Sequence, residues 1–579
     1  MKLIDALQIA RSPVDDKSPV LRVFLACGFT PLHIRTFLGA HLRQRIPGTR
    51  PEIRTGVFGD LVGNIECLNA SEADTLVVAL EWTDLDQRLG VRNLGGWRPA
   101  DVADIVHCAE LNAKRLQYAI SNAASHMTTV VSLPTLPLSP AFTNRPLQSG
   151  RRERQLRRIV SQMAESVSGI ARVRILSEQK LESTSLATAR YDVKSDLDFG
   201  FPYTLHHASA LSELLACLIE YRMPLKGIIT DLDDTLWSGI VGEDGVDGVS
   251  WSLDAHSQMH GVYQQFLSSL AGAGVLVAVA SKNDAATVDH AFERRDLLLS
   301  KDDVFPFEVH WARKSESVRN ILSAWNVAAD SVVFIDDSAA EIAEVQSTFP
   351  EITCKLFPKN DPAGIWALLE ELRDLFGKPV VSEEDSLRMK SIRSGAAWRD
   401  ASGQAEPASD EFLRSAGARI WFDCRRASDD LRAFELVNKT NQFNLNGKRY
   451  AESEWRQFLS NPAAFLLTAT YQDKYGALGK IAVLLGTKHG VDVHVQTWVM
   501  SCRAFSRRIE HQCLRYLFEE LDANRIRFDF SLTPRNGPMH DFLQSLTGCP
   551  VETTVWLTKV DHSTKLMPLF HQVEVSTNV

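Results

Sequence analysis

Short apolar runs that end in polar residues recur along much of the chain. The first three cover residues 21–26, 75–80 and 128–133, and stretches with the apolar spacing of helices separate them. Buried parallel strands are continuous apolar runs, and strands that alternate with helices form βαβ units. The pattern therefore predicts a parallel α/β domain over residues 1–222.

A second set of apolar runs covers residues 226–230, 275–280 and 331–335. Each run ends at a polar tip, and the three tips read Asp231-Leu232-Asp233, Ser281-Lys282-Asn283 and Asp336-Asp337-Ser338. The carboxyl ends of strands in an open α/β sheet form its ligand-binding edge. We therefore predict a doubly wound α/β domain over residues 223–377 with one active edge.

The rest of the chain divides into a linker and a mixed domain. Residues 401–410 combine Pro, Gly and Ser without apolar periodicity, so we predict an exposed linker over 378–414. The domain that follows, 415–579, is predicted to be α+β, with a helix at 507–521 and strands at 465–472, 480–485, 491–499 and 526–530.

Composition narrows the class of protein. A length of 579 residues suits roughly three to four domains, and a net charge of -9 gives no electrostatic footprint for nucleic acid. The nine cysteines form no CxxC pair, which argues against a zinc ribbon and a disulfide framework. Without a signal-like start or an apolar run of membrane-spanning length, we expect a soluble cytoplasmic protein.

Candidate chemistry is concentrated at Asp231 and Asp233. Two carboxylates at such a short distance repel each other. At the end of a buried strand, both stay ionised only if a cation lies beside them or if one of them serves in proton transfer. The stretch Asp231-Leu232-Asp233-Asp234-Thr235 resembles motif I (DxDxT) of the haloacid dehalogenase superfamily of phosphotransferases. Only a loop and a helix fit between residues 233 and 279, so no cap domain is expected.

This resemblance implies a role for each polar tip. Asp231 would attack phosphorus and form an aspartyl-phosphate, and Asp233 would act first as general acid and then as base. Ser281 and Lys314 would bind the transferring phosphoryl group, with Thr235 in the phosphate-binding loop. Mg²⁺ would be held by Asp231, the backbone carbonyl of Asp233 and Asp336. Asp337 is expected in a supporting or substrate-contacting position or as an additional metal contact, and Asn283 in a supporting or substrate-contacting position.

The first domain resembles an SGNH-hydrolase-type fold, in which Cys27-Gly28-Phe29-Thr30 stands at the place of the nucleophilic serine. Cys27 with His206 or His207 as a distant base is one interpretation, but no neighbour in the sequence would lower the thiol pKa. We expect a non-hydrolytic recognition or scaffold domain. Five arginines between 151 and 158 form either a solvated helix face or a docking site for an acidic partner.

The last domain resembles the GNAT acyltransferase fold. Its turn at residues 503–508 lacks the glycines that usually cradle the pyrophosphate of coenzyme A, which argues against that cofactor. Together with this domain, five stretches of the chain resemble the FkbH-like proteins, which belong to subfamily IIIC of the haloacid dehalogenase phosphatases. The stretches are DLDDTLWSGIVGEDG, SKND, FIDDS, 438–444 and 501–503. The resemblance covers nearly the whole chain.

The FkbH-like resemblance implies a bifunctional enzyme of polyketide biosynthesis. Such an enzyme takes the glyceryl unit of 1,3-bisphosphoglycerate, removes the remaining phosphate and loads glyceryl onto the phosphopantetheine thiol of an acyl carrier protein. Cys502 is our candidate for an enzyme thiol, because a helix start and nearby arginines would favour its thiolate, although a buried structural cysteine fits equally. Asn441 and Gln442 could contact the substrate or stabilise a loop. His494 and His511 are possible bases, but a structural role fits each of them better.

Two alternatives remain open at the level of sequence. One is a stand-alone Mg²⁺-dependent phosphatase of another phosphometabolite, with flanking domains that only dock partners. The other is a carrier-protein-binding scaffold without turnover, against which the intact set Asp231, Asp233 and Asp336 argues.

Overall fold

A computed structural model gives the architecture of the chain. It describes residues 1–13, 18–94, 97–139, 147–220, 222–378, 410–428, 430–474, 476–501, 507–548, 553–564 and 567–575, together with a few isolated positions. The chain forms two compact units, Met1–Arg222 and Met223–Val579. Both are mixed α/β.

The first unit is built around a five-stranded parallel sheet with the order β2-β1-β3-β4-β5. Its strands are β1 (Val20–Cys27), β2 (Arg50–Thr55), β3 (Thr75–Ala79), β4 (Thr128–Ser132) and β5 (Val173–Ile175). Every residue of β3 and β4 is buried. These two central strands are also the continuous apolar runs that the sequence identifies most clearly.

Nine α-helices surround this sheet in the described part of the first unit. They are α1 (Leu3–Arg11), α2 (Leu32–Arg45), α3 (Leu61–Glu66), α4 (Trp82–Leu85), α5 (Val102–Ala124), α6 (Arg151–Ser168), α7 (Glu178–Thr184), α8 (Val193–Phe199) and α9 (Leu205–Ile219). On α6, apolar residues such as Leu156 and Met163 are buried. The five arginines at its start are all exposed, as on a solvated helix face.

The second unit begins with another five-stranded parallel sheet, of order β10-β9-β6-β7-β8. Its strands are β6 (Gly227–Thr230), β7 (Leu276–Ser281), β8 (Val304–Val309), β9 (Val332–Asp336) and β10 (Thr353–Leu356). The three inner strands are fully buried. Because they are parallel neighbours, the polar tips that follow them meet at one edge of the sheet.

Six helices accompany these strands, namely α10 (Val241–Asp244), α11 (Gln258–Gly272), α12 (Ala285–Phe292), α13 (Lys314–Trp325) and α14 (Ala339–Thr348) between strands and α15 (Pro362–Phe376) after the last one. Between β6 and β7 the chain forms only loops, α10 and α11. No separate cap domain is inserted there, in a segment that is described throughout.

An eight-stranded, mostly antiparallel sheet completes the second unit, with the order β17-β16-β15-β14-β13-β11-β18 and β12 paired to β15. The strands are β11 (Arg419–Asp423), β12 (Phe443–Asn444), β13 (Ala464–Asp473), β14 (Gly476–His489), β15 (Asp492–Met500), β16 (Arg525–Phe528), β17 (Val555–Thr558) and β18 (Gln572–Val575). The helices are α16 (Asp410–Ser415), α17 (Leu431–Lys439), α18 (Glu452–Ser460), α19 (Ile509–Glu519), α20 (Gly537–Thr547) and α21 (Lys559–Thr564).

The predicted linker at 378–414 falls largely outside the described residues. Within the described part of the chain, no helix combines the length and the apolar character that crossing a membrane requires.

The strands that the sequence did not predict lie at or near sheet edges. In β2 the burial is only partial, β5 is three residues long, and β10 is half-exposed. β8 contains Pro306, which weakens the strand signal. Edge strands lack the continuous apolar run of a doubly covered strand, so apolar pattern alone does not reveal them.

Polar contacts join the two sheets of the second unit at one end of the parallel sheet. Lys226, just before β6, donates from Nζ to the backbone oxygen of Lys439 at 3.1 Å. Arg535 pairs with Asp330 at 3.6 Å and with Glu351 at 2.9 Å, and these acids precede β9 and β10. All three contacts on the parallel sheet lie at the amino ends of its strands.

Candidate active site

One ammonium group lies between two buried carboxylates at the carboxyl edge of the parallel sheet. Lys314, the first residue of α13, is 2.7 Å from an oxygen of Asp231 and 3.0 Å from an oxygen of Asp336. Its Nζ also donates to the backbone oxygen of Ala280 at 2.7 Å. Asp231 follows β6 and Asp336 ends β9, so adjacent strands deliver the two acids to one cation.

Burial and charge shift the pKa values of this trio. Burial raises the pKa of Asp231, and the nearby Lys314 opposes this rise. Burial also raises the pKa of Asp336, to about 6, with Lys314 opposing and Asp231 adding to the shift. Burial alone would lower the pKa of Lys314, but the two carboxylates outweigh it and the pKa is raised. A single ammonium group cannot neutralise two ionised buried carboxylates, so a further positive charge at this site would stabilise them.

Asp233 is held by hydrogen bonds at both carboxylate oxygens. Its Oδ1 accepts from Trp237 Nε1 at 2.9 Å and from the backbone N–H of Val241 at 3.0 Å. Its Oδ2 accepts from Asn283 Nδ2 at 2.9 Å. The turn after β6 and the polar tip after β7 therefore fix the orientation of this carboxylate together.

Ser281 and Thr235 occupy different environments. Ser281 ends β7, and its hydroxyl accepts from Asn283 Nδ2 at 3.2 Å and hydrogen-bonds Asp231. Thr235 is fully buried within the turn, and its backbone oxygen is 2.9 Å from His260 Nδ1. The structure thus brings Ser281 to the carboxylates and places Thr235 inside the loop.

Lys359 is a charged neighbour of the site that the sequence analysis missed. Its Nζ donates to Asp234 at 2.7 Å and to Asp337 at 2.8 Å, and these hydrogen bonds raise its pKa. It lies in the loop after β10, an edge strand that was not predicted. The available signal was a polar stretch from Lys359 to Asp361 that follows Phe357 and Pro358.

Three carboxylates fit a divalent cation here. Asp231, Asp336 and Asp337 each offer one oxygen, and these oxygens all lie within 4.8 Å of one another. Hard oxygen donors of this kind suit Mg²⁺. Asp337, which the sequence suggested as a supporting residue or an additional metal contact, belongs to this group. Both side-chain oxygens of Asp233 accept hydrogen bonds from protein groups. The backbone carbonyl of Asp233 therefore stays the predicted metal ligand of this residue.

The residues predicted for acyl transfer lie on or around the last sheet or outside the described residues. Cys502 is among the latter, so its predicted role stays a prediction. Asn441 accepts a hydrogen bond from Arg449, and Gln442 is half-buried. His494 pairs with Asp529 at 2.7 Å. Burial lowers the pKa of His511 to about 4.

Cys27 in the first unit is not an activated thiol. Burial raises the pKa of Cys27 to about 12, and its thiol donates to the backbone oxygen of Phe29. His207 lies between Thr135 and Ser185, with its ring nitrogens 2.9 and 3.0 Å from their hydroxyls. Burial lowers its pKa to about 3. The interpretation of Cys27 as a nucleophile with His207 as its base is therefore wrong.

Comparison with solved structures finds a similar fold over much of the chain. The N-terminal part of the protein BF1531 from Bacteroides fragilis, which contains a phosphatase domain and was crystallised with Mg, matches 66% of this chain and 100% of its own at 17% identity and a TM-score of 0.50. At that identity the likeness concerns fold alone. No protein-family model and no curated protein matches the sequence.

Two further matches are too distant to carry an argument. A protein from Parabacteroides merdae described as a GDSL-like lipase covers 36% of this chain and 98% of its own at 12% identity, with a TM-score of 0.24. A fungal multi-domain β-N-acetylglucosaminidase with a GCN5-related glucosamine N-acetyltransferase region covers 92% of this chain and 63% of its own at 12% identity, with a TM-score of 0.15.

Proposed function

We propose that the second unit is a Mg²⁺-dependent phosphatase of the haloacid dehalogenase type. The observation that carries this proposal is the placement of Lys314 between Asp231 and Asp336, with Asp337 close enough to complete a metal site. The fold shared with a phosphatase-containing protein supports it. Phosphoryl transfer needs positive charge around the phosphoryl oxygens and a nucleophile, and this edge holds the ammonium of Lys314 and the carboxylate of Asp231.

The residues divide the work as follows. A carboxylate oxygen of Asp231 attacks phosphorus, the bond from phosphorus to the leaving oxygen breaks, and Asp233 gives that oxygen its proton. Asp233 then takes a proton from the water that attacks the aspartyl-phosphate, which releases phosphate and restores Asp231. Ser281 and Lys314 hold the phosphoryl oxygens throughout. Mg²⁺, held by Asp231, Asp336 and Asp337 or the backbone carbonyl of Asp233, supplies charge neutralisation when bound.

Our finer proposal is that the substrate is a phosphoglyceryl unit bound for an acyl carrier protein. The resemblance to FkbH-like proteins supports it, and so does the position of the 438–444 segment in the same unit as the phosphatase edge. The thiol of the carrier's phosphopantetheine arm would attack the acyl phosphate of 1,3-bisphosphoglycerate, forming a thioester and releasing phosphate. The phosphatase edge would then remove the remaining phosphate, and Cys502 is the candidate for an intermediate acyl thioester.

The first experiment measures phosphate release from small phosphomonoesters as Mg²⁺ is titrated into the full-length protein. Activity should vanish with a chelator and in Asp231→Asn. In Asp337→Asn, the apparent Mg²⁺ affinity should fall about ten- to hundredfold, because an oxygen ligand loses its charge. Asp289→Asn changes an acid that pairs with Lys301 at the surface, and it should leave the affinity unchanged. Metal-independent release in the wild type would refute the phosphatase proposal.

The second experiment tests the substrate by intact-protein mass spectrometry of a holo carrier protein. With 1,3-bisphosphoglycerate and Mg²⁺, the wild type should leave a glyceryl adduct on the carrier, and Asp231→Asn should leave a phosphoglyceryl adduct. Loss of every adduct in Cys502→Ala would support a covalent relay through that thiol. If small phosphomonoesters are hydrolysed and the carrier stays unmodified, the glyceryl-loading proposal is wrong and a phosphatase of another metabolite remains.

A further inference from the structure

The first unit contains a cavity of about 300 Å³ that none of the proposed chemistry uses. It lies at the carboxyl ends of β1, β3 and β4, which is the ligand-binding edge of an open parallel sheet. Its walls are mainly apolar, with side chains that include Phe29, Trp82, Leu89, Leu136 and Leu138. Apolar cavities with a few placed polar groups are typical sites for small molecules.

Asp84 supplies a carboxylate to this cavity. Its Oδ2 accepts from the backbone N–H of Glu81 at 2.7 Å, which fixes the orientation of the group. Its Oδ1 has no hydrogen-bond donor among the residues that the structure describes. A Cβ at Gly28 would lie 1.7 Å from this Oδ1, so the carboxylate rests over a backbone position that only glycine allows. The absence of a side chain at Gly28, directly after β1, thus makes room for the carboxylate of Asp84.

The nearby charged groups do not neutralise Asp84. The buried Glu81 accepts four hydrogen bonds, from the backbone N–H groups of Thr135 and Leu136 and from the hydroxyls of Thr135 and Tyr203. Arg92, at the cavity wall, donates to the backbone oxygen of Asp196 and lies over the ring of Phe58. In the described part of the cavity wall, Asp84 therefore lacks a cation.

Ser139 is a second polar group in the cavity wall. Its side chain is largely buried, with a residue exposure of 8%, and its Oγ has no hydrogen-bond partner in the described part of the chain. A buried hydroxyl without a partner loses its hydrogen bonds to water and gains nothing in return. A ligand that brings a donor or an acceptor to this wall would remove that cost.

From these observations we propose that the cavity binds a small molecule with an apolar body and a single ammonium group, which donates to Asp84 Oδ1. The apolar walls enclose the body, and Ser139 offers one further hydrogen bond. The proposal invokes no chemistry at the Cys27 thiol, which donates to the backbone oxygen of Phe29. The proposal is independent of the phosphatase site, because every residue in it belongs to the first unit.

The test compares two probes of the same shape, 2-phenylethylamine and 2-phenylethanol, by isothermal titration calorimetry with the full-length protein. Burial raises the pKa of Asp84 to about 8, so the titration is run at about pH 8.5, where the carboxylate is ionised and a primary amine still carries its proton. The amine should bind at least about tenfold more tightly than the alcohol, because only the amine pairs with a desolvated carboxylate.

Three variants locate the effect. Asp84→Asn keeps an acceptor for the Glu81 N–H and should reduce the amine-to-alcohol affinity ratio to about one. The matched control Asp5→Asn changes an exposed acid of the same unit and should leave the ratio intact. Leu138→Trp fills the cavity and should weaken both probes at least about tenfold. Circular dichroism and the unfolding midpoint verify that each variant is folded.

The proposal is overturned if the wild type binds neither probe, or binds both equally. It is also overturned if the preference for the amine survives in Asp84→Asn, or if Leu138→Trp leaves the amine affinity unchanged. Each of these results would mean that the cavity does not bind the amine or that Asp84 does not contribute to the binding.

Discussion

At the scale of single residues, hydrogen-bond donors occupy both carboxylate oxygens of Asp233. Trp237 and the Val241 N–H hold one oxygen, and Asn283 holds the other. A general acid must keep its geometry while its protonation state changes, so fixed donors are of direct use. Asn283 also donates to Ser281, which makes this amide the link between the proposed acid and the proposed phosphoryl-binding hydroxyl.

We predict that Asn283→Ala lowers kcat for phosphate release about ten- to hundredfold, since a hydrogen bond to a charged group is worth about 1.5–3 kcal/mol. Initial rates with a saturating phosphomonoester and saturating Mg²⁺ measure the change in kcat.

Asn320→Ala is the matched control for this prediction. Its amide donates to Glu308 on the exposed side of the domain, so kcat should stay at its wild-type value. A wild-type kcat in Asn283→Ala would mean that the amide is not needed to hold Asp233 in place for catalysis.

At the scale of elements, the apolar pattern predicted the strands that carry the central chemistry. β6, β7 and β9 are buried inner strands, and their ends deliver Asp231, Ser281 and Asp336. The pattern missed β10, a half-exposed edge strand, and with it Lys359. The partners of Asp233 were also out of reach, because Trp237 reaches its oxygen through the shape of a turn that linear spacing does not encode.

In the first unit, a network of buried hydrogen bonds joins elements that are distant in sequence. Glu81 follows β3, Thr135 follows β4, and Tyr203 and His207 lie at the start of α9. The hydroxyl of Thr135 contacts both Glu81 and His207, so one buried network joins the three elements. The sequence suggested His207 as a distant base, and its burial in this network explains why it is structural.

This network predicts a pH dependence of local stability. The folded pKa of His207, about 3, lies below its unfolded value near 6.5, so the unfolded state binds more protons as pH falls below about 6.5. The stabilisation is present above that pH and is lost toward pH 3, by about 1.4 kcal/mol per pH unit. Hydrogen exchange measured by mass spectrometry gives the protection factors of the β3 and β4 peptides. In the wild type these protection factors should therefore fall from pH 7 to pH 5.

His207→Gln separates this residue from its neighbours. Glutamine keeps a donor and an acceptor but cannot take up a proton, so the wild type should lose about 2 kcal/mol relative to the variant between pH 7 and pH 5. The other ionisable groups around His207, which are Arg190, His206 and Glu81 through Thr135, are common to both proteins. Parallel pH dependences in the two proteins would contradict the assignment to His207.

At the scale of the second unit, the two sheets meet at the end of the parallel sheet that lies away from the carboxylates. Lys226, Asp330 and Glu351 stand before β6, β9 and β10, whereas Asp231 and Asp336 stand at the carboxyl ends of β6 and β9. These contacts therefore do not bring the last sheet to the phosphatase edge. A substrate used by both sheets needs a mobile tether, and a carrier-bound thioester on a flexible arm meets that need.

If a carrier-bound intermediate moves between the last sheet and the phosphatase edge, the enzyme should also accept that intermediate from solution. We expect a carrier that Asp231→Asn has loaded with phosphoglyceryl, purified from that variant, to lose one phosphoryl group when the wild type and Mg²⁺ are added without 1,3-bisphosphoglycerate. Intact-protein mass spectrometry follows the change. Fresh Asp231→Asn is the control and should leave the adduct intact, whereas Cys502→Ala should clear it, because its phosphatase edge is complete. If the adduct persists with the wild type, dephosphorylation precedes transfer to the carrier, and the tether has no part in it.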